Sequence, residues 1–192
     1  MKKIALLLSH LLNPALLAVL VFVIHGKMED GFVGFVGVGF FAILPGCTML
    51  VLLRWRYIHQ LYPHDRNERS ILLLLGGFYY LIGWIVLYGL DAERLVLATA
   101  GIFVVSTLLV WLVNRHWKIS IHAAGVGGTA CILLISIGEQ VAPFFVALPI
   151  IAWARLYLRA HTPAQVVAGA VLGVGVSLAL FYAFGLSNIS DL

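Results

Sequence analysis

The sequence predicts an all-α polytopic membrane protein, and three observations carry that reading. Of its 192 residues, 62% are hydrophobic and 10% charged, with a mean hydropathy of +1.06. The apolar residues fall into about seven runs, each near the roughly 20 residues a helix needs to cross a bilayer. The breaks between runs are short and polar, and they alternate between acidic and basic. A soluble globule of this length has no way to hide so much apolar surface from water. The expectation is one bundle of six to seven transmembrane helices, forming a single domain over residues 1–192.

The first run, 4–25, follows Lys2 and Lys3 like the opening of a signal peptide. Asn13 and Pro14 interrupt it, it stays apolar to Ile24, and no small-residue cleavage site follows, so a retained span is expected. The second, 31–53, begins in a crowd of glycines: Gly31, Gly34, Gly37 and Gly39. The third and fourth, 71–90 and 94–113, flank the acidic turn at Asp91 and Glu93. The fifth, 119–137, starts at Ser120, and the sixth, 141–158, ends near Arg155. The seventh, 164–186, follows Thr162 and Pro163, a hydroxyl cap with proline at the first helical position. Gly169 and Gly173 inside it have the four-residue spacing that allows close helix approach in lipid. Cys47 and Cys131 lie within apolar runs and lack metal-ligand spacing, so they read as small buried hydrophobes, with no metal site.

Because the breaks alternate, the three basic ones fall on one membrane face with the N-terminus. Ten of the twelve Lys and Arg residues belong to that face, leaving Lys27 and Arg94 opposite. The positive-inside rule then puts the basic face in the cytoplasm, in a bacterial or archaeal inner membrane.

Ionisable groups beside membrane spans are costly and call for a functional reason. Two clusters stand out: Lys118, Ser120 and His122, and then Arg155, Arg159, His161, Thr162 and Gln165. Ser120 and Thr162 mark helix starts, so His122 and His161 stand at N-termini whose free N–H groups favour phosphate. The same field disfavours a protonated imidazole and leaves it nucleophilic. Arg155 and Arg159 are one turn apart, on one expected helix face, and guanidinium groups grip phosphate oxygens bidentately. Lys118 adds a charge, and Arg66 and Arg69 enter from the third run. Lys2, Lys3, Arg54 and Arg56 read instead as snorkelling topology anchors. His10, His25, His59, His64 and His116 read as interfacial or hydrogen-bonded bystanders.

These residues resemble the type 2 phosphatidic acid phosphatase superfamily, which includes membrane lipid phosphatases and vanadium haloperoxidases. Ser120 and His122 match the Ser and His of its second motif, Pro-Ser-Gly-His, with Ile119 and Ile121 replacing Pro and Gly. Arg155 and His161 keep the five-residue gap of its third motif, where Ala154 replaces Ser and Gln165 stands at the Asp position. The likeness covers about residues 114–186. The first motif is matched in spacing alone by His59 and Arg66, with Arg69 nearby. The resemblance implies metal-free, cofactor-free hydrolysis of a lipid phosphate monoester or diphosphate, phosphatidate-like or isoprenoid. His161 would be the nucleophile, His122 the general acid and base, and Gln165 the group orienting His161. Arg155, Lys118, Ser120, Arg69 and Arg66 would hold the phosphate, and Asp65 or Glu68 would supply the missing negative charge. The partners implied are the lipid substrate and membrane lipids, not nucleic acid. Two other readings are a phosphotransferase using the same site and a non-catalytic protein that binds anionic headgroups. A histidine at each of two helix starts favours the enzyme.

Overall fold

Caps and prolines, rather than long loops, set where the helices begin. In the computed structural model, which describes residues 1–60 and 65–186, every regular element is helical. Helix α1 (Lys2–Leu11) and helix α2 (Pro14–Met28) meet at a 40° bend. Asn13 makes that break: its side chain accepts from the Ala15 N–H at 2.8 Å, and Pro14 takes the first helical position. Helix α3 (Gly31–Arg54) is capped by Asp30 and contains a wide π-turn over Gly39–Ile43. Pro45 lies just beyond, and its missing N–H leaves a carbonyl one turn back without its regular partner, which the widened turn accommodates. Helix α4 (Arg66–Gly89) starts on Asp65, whose carboxylate accepts from the N–H groups of Asn67 and Glu68. Helices α5 (Arg94–Asn114), α6 (Ile121–Ile137), α7 (Glu139–Tyr157) and α8 (Pro163–Ala183) complete the chain, α7 opening with a 3-10 stretch around Pro143.

Among the described residues, five helices are long and apolar enough to cross a membrane, and six if the bent α1–α2 pair is one span. The remaining apolar helix, α6, has 17 residues, of which thirteen are buried. It is the hub of the bundle, surrounded by protein, and needs no lipid-facing surface. The outer helices carry that surface instead, with Phe35, Phe78 and Tyr182 all more than half exposed. Glu29 accepts the Glu93 N–H at 2.9 Å, so two acidic breaks meet at one end, as their alternation requires. Cys131 is buried as expected, but Cys47 is exposed on α3 because that half of the helix buries nothing. His64 lies outside the described residues. His25 is the hydrogen-bonded kind of bystander, its Nε2 2.9 Å from Ser136 Oγ.

The contact between α6 and α8 brings the two polar clusters of the sequence together. A Cβ at Gly169 would collide with the Ser120 carbonyl, and one at Gly173 with the Ala124 carbonyl. Two glycines one turn apart thus let α8 lie directly against the α6 backbone. The Ser120 N–H also donates to the Gln165 carbonyl at 3.1 Å, which sets the two helix starts side by side. Gly173→Ile forces these backbones apart. It is expected to cost about 1–3 kcal/mol by overpacking and to lower the melting temperature of the purified protein.

Candidate active site

The pairing of α6 with α8 brings His122 and His161 to one cavity of about 270 Å³, whose lining also includes Arg69, Lys118 and Arg155. Five of the eight residues expected at the site therefore share one wall. Arg69 is 5% exposed and Arg155 6%, depths at which a guanidinium needs compensation. Arg69 donates from Nη2 to the Ile119 carbonyl at 2.8 Å, while its Nη1 is buried with no hydrogen-bond partner among the described residues. Arg155 donates from Nη1 to Ser9 Oγ at 3.3 Å. No Asp or Glu stands among the described residues that line the cavity. Three cations thus converge on a cavity that no described carboxylate lines.

His161 sits just before the start of α8, and the cap there sets its tautomer. The Gln165 Oε1 accepts the Thr162 N–H at 3.1 Å, closing a capping box with the Thr162 hydroxyl. A backbone N–H can only donate, so the amide oxygen must face this side. The His161 Nδ1, 3.2 Å from the same oxygen, must then carry its proton and donate. The lone pair is left on Nε2. Burial first, and then the charges of Arg155, Arg69 and Lys118, lower the His161 pKa to about 4. The ring is therefore neutral at any ordinary pH. Lys118 is shifted down as well, by burial and by Arg69 and Arg155.

The remaining expected residues lie elsewhere. Ser120 is fully buried and its Oγ accepts the Ala123 N–H at 3.3 Å, so it caps α6 rather than lining the cavity. Gln165 acts from behind His161. Arg66 is exposed and donates to the His116 carbonyl at 3.1 Å, away from the cavity. The spacing match of His59 with Arg66 also fails as a site, because His59 pairs with Glu68 at 2.6 Å. Glu68 and Asp65 are thus committed to a surface pair and a helix cap, and neither supplies a carboxylate to the histidines. Arg159 is not on the face of Arg155: the helix ends at Tyr157, and Arg159 is exposed with φ of 50°.

Sequence reading missed Ser9. It is fully buried; its Oγ meets Arg155 and its backbone hydrogen-bonds the His122 ring. A lone serine in an apolar run was a faint signal. The bend at Asn13 is what turns α1 toward α7 and delivers Ser9 to the site. Among the described residues, no group of three or more His, Cys, Asp and Glu is gathered as a metal ion would need.

No family model matches the chain, and no curated protein or solved structure matches it either.

The neutral amide behind His161 has a measurable consequence. Gln165→Glu keeps the capping geometry but puts a negative charge next to Nδ1, which raises an imidazole pKa by roughly 1–3 units. A histidine that must be neutral to react loses activity as pH falls through its pKa. The acid limb of kcat/KM is therefore expected near pH 4 for the parent and between about 5 and 7 for Gln165→Glu. Identical limbs would remove His161 from the titrating step.

Proposed function

We propose that the protein is a membrane-embedded phosphatase that removes phosphate from a lipid phosphate monoester or diphosphate through a phosphohistidine. The observation that carries this reading is the cluster of buried Arg69 and Arg155 with half-buried Lys118, which no carboxylate joins among the described lining residues, around two histidines. Such a cluster calls for a polyanion, and guanidinium pairs suit the charge that builds on phosphoryl oxygens in the transition state. Headgroup attraction alone needs only surface cations. It gives no reason to fix the tautomer of a neutral imidazole beside them.

In this reading His161 Nε2 attacks phosphorus in line, forming the N–P bond as the P–O bond to the leaving group breaks. His122 gives a proton to the leaving oxygen. It then takes one from the water that attacks the phosphohistidine, which releases inorganic phosphate and restores His161. Gln165 holds the ring by its Nδ1 proton, and Arg69, Arg155 and Lys118 hold the non-bridging oxygens. This chemistry is similar to that of the type 2 phosphatidic acid phosphatase superfamily. The excess of cations at this end supports a site facing the cytoplasm in a bacterial or archaeal membrane.

The test is phosphate release from a panel of lipid phosphates by the purified parent, His122→Ala and His161→Ala. Release by the parent with loss in both variants is expected, with His122→Ala slower by about 10²–10⁴-fold. Equal release by all three proteins overturns the assignment.

A further inference from the structure

The cations occupy only the top of the cavity. Below them its walls descend three helices: from Arg69 to Tyr80 on α4, from Val110 to Ile102 on α5, and from His122 to Ile132 on α6. Ten or so helical residues at ~1.5 Å each give a slot about 15 Å deep. Its walls there are mostly apolar, Leu73, Val110, Ile102 and Ile132 among them, with the hydroxyl groups of Ser106, Thr107 and Thr129 interspersed. The floor is an aromatic plug. Tyr80 stacks on Phe41 with centroids 5.1 Å apart, and Phe103 meets both rings.

Gly76 shows that the slot is open space rather than loose packing. It is buried on α4, two turns below Arg69, yet a Cβ placed there would meet nothing within 4 Å. Protein interiors seldom keep such a void unless something occupies it. On the lipid side the slot is walled by Pro45, Gly46 and Met49, from the half of α3 that buries no residue. A chain in the bilayer has its shortest path to the slot through that wall.

We infer that the slot receives the apolar tail of the phosphate ester, with Gly76 setting how far the tail can descend. The inference rests on the phosphatase reading and narrows its substrate class. The ligand is a single-headed amphiphile whose leading carbons lie inside the bundle while its phosphate meets the histidines. A zig-zag chain with bonds of ~1.5 Å fits roughly twelve carbons into this depth. A longer chain must leave through the lipid-facing wall.

Butyl and dodecyl phosphate separate head from tail. The butyl chain ends above the level of Gly76, which lies about 10 Å below Arg69, whereas the dodecyl chain must pass it. Gly76→Leu is expected to lower the dodecyl-to-butyl ratio of kcat/KM at least tenfold, and Gly76→Ala to lower it less. The same ratio in all three proteins overturns the tail slot while leaving the phosphatase reading intact. Dodecylphosphonate, which is not hydrolysed, supplies a readout without turnover. It should raise the melting temperature of the parent and not that of Gly76→Leu. If the parent hydrolyses neither ester but keeps this difference, the phosphatase reading fails and the slot stands. Equal stabilisation of both proteins by the phosphonate counts against the slot.

Discussion

His161→Ala is expected to abolish phosphate release, by roughly 10⁴-fold or more, the scale of losing a nucleophile from a cooperating catalytic set. The size follows from what the side chain does rather than from its proximity to phosphate. Its Nδ1 proton is held by Gln165 Oε1, its Nε2 carries the lone pair, and burial among cations keeps it unprotonated. His122, the other histidine of the cavity, is held through the Ser9 backbone rather than by a helix cap and is assigned the proton transfers. Rapid acid-stable trapping fails for phosphohistidine, so the check is an alkaline quench after brief exposure to labelled substrate. The parent should retain label on one histidine, and His161→Ala should retain none. His122→Ala should gain label more slowly, because His122 protonates the leaving oxygen in the first step, and should also lose it more slowly, because the same residue activates the water in the second. Label on another residue in the parent would assign the nucleophile elsewhere.

How much of this was visible beforehand depends on whether the cause is local. Thr162, Pro163 and Gln165 announce the start of α8 because a cap and its N3 partner are three residues apart. Ser120 does the same for α6. Gly169 and Gly173 announce close packing, though not the helix they pack against. The choice between Arg66 and Arg69 was harder. Arg69 continues the buried stripe of Leu73, Gly76, Gly83 and Leu87 at helical spacing, whereas Arg66 opens the helix beyond the end of the cavity. That phase was present in the sequence and outweighs a spacing match to His59. Arg159 was misplaced because the helix stops two residues before it, close to where the apolar run itself ends at 158. Ser9 depends on tertiary structure alone: it meets Arg155 across 146 residues of chain. That α6 is wrapped in other helices was not legible, because hydropathy does not distinguish a helix in lipid from a helix surrounded by protein.

Arg69→Met should separate ligand binding from folding, because it moves the two in opposite directions. Without an anion the Arg69 guanidinium is buried near Arg155 and Lys118, its Nη1 has no partner among the described residues, and it is held there against desolvation and repulsion. Methionine has similar length and no charge to desolvate. Replacing buried charge with a hydrophobe of like volume is neutral or stabilising by about 1–4 kcal/mol. In phosphate-free buffer the variant should therefore melt at or above the temperature of the parent, despite losing the bond to the Ile119 carbonyl. With phosphate or vanadate present the order should reverse. The anion stabilises the parent in proportion to its affinity, and the variant has lost a charge-assisted donor worth about 1.5–3 kcal/mol. Turnover should fall by roughly 10²–10³-fold, as when one preorganised donor to a transition-state oxygen is removed. A variant that is destabilised without anion and still stabilised by it to the full extent would make Arg69 a structural strut. The anion would then be gripped by Arg155 and Lys118 alone.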